Sequence, residues 1–145
     1  MGAYETVIVR DFIAAINRRR PAEMSELMTE DHTFVDSLGR EESGRWAAIA
    51  GWTEYFRCFP DYSIRIEMLL SQGSHVAVFG SASGTYSGPQ GLVAENRMEM
   101  PAAWRAVVEQ GRVKRWQVYA DGTEGRRVMA MDDSPGLPQR SDVGV

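Results

Sequence analysis

From Pro60-Asp61 onward the hydrophobic pattern of this chain keeps a period of two, and that change limits what it can fold into more than any other feature. Upstream the repeat is helical. Tyr4, Val7, Ile8, Phe12, Ala15 and Ile16 predict one buried stripe on a first helix. Pro21 suits the first turn of a short second helix, with Glu23 near its positive end and Met24, Leu27 and Met28 facing inward. Residues 32–36 read as a strand, with His32, Phe34 and Asp36 on one face and Thr33 and Val35 on the other. A polar loop over 37–43 contains Gly39. A third helix is expected over 44–58, lined by Trp46, Ile49, Ala50, Thr53 and Phe56, widened by Trp52, Tyr55 and Phe59, and stopped by Pro60.

Downstream the period is two. Tyr62, Ile64, Ile66, Met68 and Leu70 alternate with Ser63, Arg65 and Glu67, as in a strand buried on one face. Gln72-Gly73 predicts a hairpin turn into a strand over 75–86, where Gly80 and Gly84 suit a bend or a close backbone approach. A loop with Gly88, Pro89 and Gly91 leads to a long strand over 95–109. Its Pro101 predicts an edge position or a bulge. Gln110-Gly111 turns the chain into a last strand over 113–121. Residues 1–124 are expected to form one domain, and 125–145 a tail whose last dozen residues are disordered.

Helices followed by a meander imply an α+β fold with the helices on one face of the sheet. Met98, Met100, Ala102, Trp104, Ala106 and Val108 make one continuous apolar face on the long strand, while Pro101, Ala103 and Val107 make the other partly apolar. That second face predicts a homodimer through the sheet.

Composition excludes several classes. The net charge of −4 leaves no electrostatic footprint for nucleic acid or an anionic membrane. Arg18-Arg19-Arg20 reads as solvated cations at a helix C-terminus. Cys58 is the only cysteine, so no internal disulfide forms, and a cytoplasmic location is expected. No apolar run approaches a membrane span, and no signal peptide is expected, since the first residues lack a basic segment followed by an apolar core. The Met1-to-Thr6 match to a myristoylation pattern reads as coincidence, since no polybasic patch follows.

No metal motif, glycine-rich phosphate loop or nucleophile elbow is present, and no metal or cofactor is expected. Cys58, at the end of an aromatic helix, reads as an inert buried thiol. Asp36 and Asp121 remain, each at a strand end. An acid at the rim of an apolar cavity loses solvation and trades protons nearer neutral pH. Each also stands where aspartate caps a turn, before Ser37-Leu38-Gly39 and before Gly122. His32 lies about 13 Å along the strand from Asp36, too far for a dyad, and reads as a pocket-wall or core residue. Phe12, His32, Phe34, Trp52, Tyr55, Phe56 and Tyr119 are the candidate pocket residues, suited to a small, flat, apolar organic molecule.

The order helix–helix–strand–helix–meander, with the stretches "EDHTFVDSLG", "CFPDYSIRIEMLLSQGSHVAVFGSASGTY" and "PAAWRAVVEQGRVKRWQVYADG", resembles the nuclear transport factor 2-like superfamily over residues 4–122. The likeness is to its SnoaL-like polyketide cyclase and ketosteroid isomerase-like branches. The resemblance implies a cone-shaped, cystatin-like curved antiparallel sheet wrapped around three N-terminal helices. It implies that Asp36 in "TFVDSLG" stands where ketosteroid isomerases carry their general base, and Asp121 in "WQVYADG" where SnoaL-type cyclases carry an acid/base. Phe12 and Ala103 stand, in an ungapped reading, where the isomerases place Tyr and Asp oxyanion donors. Gly80-Ser81-Ala82 replaces the Arg-x-Asp of limonene-type epoxide hydrolases, which disfavours that reaction. The implied function is an acid–base enzyme of cyclase or isomerase type, acting on an apolar, polyketide- or steroid-like substrate with Asp36 and Asp121 as catalytic residues. The alternative is a non-catalytic dimeric binding module of the same fold.

Overall fold

The computed structural model of the chain describes residues 2–130. Helices α1 (Ala3–Asn17) and α2 (Pro21–Glu26) precede strand β1 (Met28–Val35), short strand β2 (Glu41–Ser43) and helix α3 (Arg45–Cys58). The meander follows as β3 (Ser63–Gln72), β4 (His75–Thr85), β5 (Arg97–Glu109) and β6 (Arg112–Ala120), and helix α4 (Thr123–Ala130) ends the described chain. The six strands form one sheet in the order β2-β1-β6-β5-β4-β3. All neighbours are antiparallel except β1 and β6, which run parallel. The expected α+β architecture is present.

Of the period-two segments, β5 buries the expected face, but β3 does so only as far as Ile66. Met68 and Leu70, expected on that face, are turned outward because the register with β4 slips by one residue between Ile66 and Met68. On β5, Met98, Met100, Ala102, Trp104, Ala106 and Val108 are all buried against the helices, together with Val9, Phe12, Ile13 and Ile16 of α1. Pro101 is tolerated because β6 ends at Ala120, opposite Ala102, so no strand beyond that point asks Pro101 for a missing N–H. Its register with β4 runs unbroken, and the β5 irregularity falls instead between Val107 and Val108.

Gly80 marks the bend. β3 carries one extra residue between Ile66 and Met68, opposite Gly80 and Phe79, and a Cβ on Gly80 would collide with the backbone carbonyl of Arg65. α1 is fastened to the free edge of β3 by one side chain. The Asn17 amide donates to the Ile64 carbonyl at 2.9 Å and its oxygen accepts the Ile64 N–H at 2.7 Å. Arg19 is likewise engaged, donating to the Tyr62 carbonyl, and Arg18 and Arg20 pair with Glu23, so the expected solvated trio is an anchored one.

Three further elements differ from expectation. β2 forms inside the supposed loop, pairing Glu41, Glu42 and Ser43 with Val35, Phe34 and Thr33, and Glu41 pairs with Arg115 of β6. The inner face of α3 is Ala48, Trp52, Tyr55 and Phe56, whereas Trp46 is 66% exposed with the Arg45 guanidinium over its ring. The segment straddling residue 124, assigned to the tail from 125 onward, forms α4 and buries Val128 and Met129. The expected disorder of the last dozen residues lies outside the described residues. No helix among the described residues is long and apolar enough to cross a membrane.

Gly80→Ala is expected to destabilise the fold by about 1–3 kcal/mol, since backbone has to move to admit the methyl group. Gly51→Ala on α3, whose Cβ would meet only the end of the Glu42 side chain, is expected to stabilise by up to about 1 kcal/mol. Urea midpoints of the two variants against the parent measure both.

Candidate functional site

Parallel pairing of β1 with β6 sets Phe34 beside Trp116 and Val35 beside Gln117, so both strands deliver their C-terminal ends to the same margin of the sheet. Asp36 is one residue beyond that pairing and Asp121 four. The two acids reach the same margin about 10 Å apart along the strand direction, by the rise per residue. They do not share an environment.

Asp36 is 2% exposed. Its Oδ1 accepts the N–H groups of Leu38 and Arg40, each at 2.9 Å, and Oδ2 lies 3.3 Å from Arg40 Nε. The turn is closed by the Asp36 N–H to the Arg40 carbonyl, and Gly39 takes the left-handed conformation it requires, at φ 84°. Asp36 is therefore the turn residue the sequence offered as one alternative, yet it is buried at the end of the strand that carries His32 and Phe34 inward.

Asp121 is exposed and follows Tyr119 onto the outer face. Its Oδ1 accepts from the amide and hydroxyl of Thr123 at the start of α4. Those bonds, the hydroxyl's first and the amide's next, hold its carboxyl below the ordinary carboxylate range. The expectation of an acid whose affinity for a proton is raised by an apolar rim is corrected here, because the side chain stands in solvent and is stabilised as an anion.

Six of the seven candidate pocket residues meet inside the cone. Phe12 packs on His32 and on Trp116, with ring centroids 6.1 and 5.1 Å apart. Trp52 touches Phe34, Tyr55, Phe56 and Tyr62. The seventh, Tyr119, is a correction. It is 49% exposed on the outer face, because the inward positions of β6 are Trp116 and Val118. Ala103 stands on that outer face too, paired with Tyr119 and Phe79, so it does not occupy an interior donor position.

Reading the residues alone singled out neither Trp116 nor Tyr62 as a site residue. The signal was available for Trp116: Trp116 and Val118 are more apolar than Gln117 and Tyr119, so the alternation itself named the inner set.

The interior is apolar but not uniformly so. His32 Nε2, Trp52 Nε1, Tyr62 Oη and Trp116 Nε1 are buried and have no hydrogen-bond partner among the described residues. A buried polar atom left unpaired costs about 1–3 kcal/mol. His32 Nδ1 lies 2.7 Å from the Val113 carbonyl, which only accepts, so Nδ1 carries the hydrogen and Nε2 of the neutral ring is an acceptor. Burial lowers the His32 pKa, opposed in part by that bond. Burial also pushes the Tyr62 phenol well above its ordinary value, which keeps it protonated.

Two surface clefts lie apart from these residues. One, of about 110 Å³, is bounded by Tyr86, Gly88, Pro89, Asn96 and Val128. The other, of about 590 Å³, is bounded by Thr29, Asp31, Glu109 and Arg112. Among the described residues no three His, Cys, Asp or Glu side chains are grouped to hold a metal ion.

Comparison with known proteins bears on the fold that holds these residues. The SnoaL-like domain family matches residues 9–116, well over half of the chain. A proposed SnoaL-like polyketide cyclase from Shewanella denitrificans OS-217 superposes with a TM-score of 0.76 at 14% identity, covering 90% of this chain and 99% of that one. A protein of ketosteroid isomerase-like fold from Catenulispora acidiphila DSM 44928, in complex with trimethylamine, gives 0.71 at 21% identity, with coverages of 90% and 93%. AclR, a proposed hydroxylase from Streptomyces galilaeus, gives 0.74 at 14% identity, with coverages of 90% and 98%. At these identities the likeness is one of fold. No curated protein matches the sequence significantly.

A histidine buried neutral makes stability depend on pH with a definite sign. The folded pKa is depressed, so the stabilisation is present above the ordinary imidazole pKa and is lost as pH falls below it, where the unfolded chain takes up the proton first. Urea midpoints should fall between about pH 7 and pH 5, and the His32→Asn variant should show a flatter profile over that window.

Proposed function

Because the chain belongs to the SnoaL-like domain family, we propose that its cone receives a small, largely apolar organic molecule and that Asp36 transfers a proton on it. The observation that carries this reading is the set of four unpaired polar atoms inside an otherwise apolar aromatic cluster. A flat ligand with a few polar groups would supply what those atoms lack, while the surrounding rings provide contact area. Asp36 suits the chemical role better than Asp121. Oδ1 is saturated by two amides, which hold the carboxylate in one orientation. Among the described residues Oδ2 meets only Arg40, so it keeps a lone pair for a proton. One carboxylate that removes a proton from carbon and returns it elsewhere performs isomerisation, or activates a carbon for ring closure. This is acid–base chemistry of the isomerase or cyclase type, with one acid in place of two.

A second reading, the non-catalytic binder, draws on the same turn: Asp36 is already occupied as a structural cap. Its substitutions separate the two. Asp36→Asn keeps an oxygen for the Leu38 and Arg40 amides but removes the base; Asp36→Ala removes both and should destabilise by about 1–3 kcal/mol. With a bicyclic aromatic ketone (a tetralone) as probe, exchange of its α-hydrogens in deuterated water reports proton transfer by NMR. The acid–base reading expects Asp36→Asn to slow exchange by about 100-fold or more while losing less stability than Asp36→Ala, since only the Arg40 contact is given up. Binding of the ketone with no enzyme-dependent exchange selects the binder.

The outer face of the sheet supports a homodimer. Met68, Phe79, Ala103 and Tyr119 lie in one transverse row over β3 to β6, with Leu70 beside them, and the four large side chains are 44–56% exposed. A row of this kind is stable in water when a second copy covers it. Light scattering should give twice the chain mass for the parent and the chain mass for Phe79→Glu. A monomeric parent removes the proposal.

A further inference from the structure

Two of the unpaired atoms have opposite needs. Trp116 Nε1 is a donor without an acceptor, and His32 Nε2 is an acceptor without a donor. Both rings pack on Phe12, and both project inward from adjacent strands, His32 lying one residue before the Thr33–Arg115 pair and Trp116 one residue after it. Both side chains are fully buried. The tautomer of His32 is set from behind by the Val113 carbonyl, so the acceptor character of Nε2 is built in rather than adjustable.

Few groups answer both atoms at once. A carbonyl accepts from the indole but gives nothing to the imidazole. An amide group answers both only by presenting two separate atoms, its oxygen to the indole and its N–H to the imidazole, as Asn17 does at Ile64. An ammonium only donates. A hydroxyl does both through a single oxygen, which accepts from Trp116 while its hydrogen goes to His32. We propose that His32 and Trp116 together form a hydroxyl-recognition site, so that the molecule held in the cone is an alcohol or a phenol whose O–H is read at the Phe12 end. This rests on the reading that the cone receives an apolar organic molecule, and it adds the functional group that the molecule carries. Phe12 presents ring surface beside the site, which favours a hydroxyl attached to an aromatic or alicyclic ring. The other two unpaired atoms, Trp52 Nε1 and Tyr62 Oη, belong to the opposite aromatic group and both can donate, which suits a carbonyl at the far end of the same ligand.

Phenol, toluene and anisole test the site, because they share a ring and differ only in the group presented to it. Titration calorimetry of the parent chain should show phenol binding about tenfold more tightly than toluene or anisole, the effect of one satisfied buried pair. In a proton–nitrogen correlation spectrum the chain has four indole signals, one per tryptophan, and phenol should move that of Trp116 while toluene leaves it in place. Trp116→Phe should cut the preference for phenol to less than about threefold and retain toluene binding. Equal affinity for phenol and toluene overturns the hydroxyl site but leaves the apolar-ligand reading standing. So does phenol binding with an unmoved Trp116 signal, the result expected if a water molecule alone fills the gap. Failure of all three probes to bind removes the apolar-ligand reading and this inference with it. The comparison on the parent chain decides even if Trp116→Phe does not fold.

Discussion

The parallel contact between β1 and β6 is what the rest of this structure depends on. It joins a strand near residue 30 to one near residue 115, and so ties the helical half of the chain to the end of the meander. The tie is reinforced off the ladder, by the Val113 N–H to the Leu27 carbonyl and by the His32 ring to the Val113 carbonyl. Without it the sheet would end at β6 and the helices would have no strand through which to enter it. With it, Phe34 meets Trp116, and through Phe12 and Trp52 the two aromatic groups become one interior.

The same contact explains how two aspartates of one chain come to differ. Both end strands on one margin, but they leave the sheet on opposite faces. Asp36 turns inward and is gripped by amides of its own hairpin, whereas Asp121 turns outward into solvent beside Thr123. Parity along a strand decides this, not residue type. A one-residue difference in where a strand ends is enough to exchange a buried carboxylate for a solvated one.

Parity also marks where the sequence was easy to read and where it was not. The long strand β5 was legible because Met98 to Val108 alternate without interruption, whereas on β3 the bulge after Ile66 reverses the faces and no residue type announces it. The first helix was legible for the equivalent reason. α3 was harder: Trp46, Trp52, Tyr55, Phe56 and Phe59 surround most of the helix, so periodicity does not choose among them, and packing against β1 selects Trp52 and leaves Trp46 outside. β2 carries Glu-Glu-Ser and has no hydrophobic pattern; it exists because β1 offers it an edge and Arg115 offers Glu41 a cation. α4 is polar apart from its last turn, and is held by Val128 and Met129. As for the candidate site, the aromatic set was recognisable from residue type, but the unpaired atoms were not. Whether an indole N–H finds a partner is a property of three-dimensional packing.

The side chain of Asn17 does at Ile64 what a neighbouring strand would otherwise do. β3 is the last strand of the sheet, and its outward backbone groups are a standing invitation to any extended peptide. By offering one amide group to both the N–H and the carbonyl of a single residue, α1 seals that stretch of the rim with its own terminus. Growth of the sheet by a further strand is therefore blocked near the start of β3, and self-association is steered away from fibre-like stacking at that end.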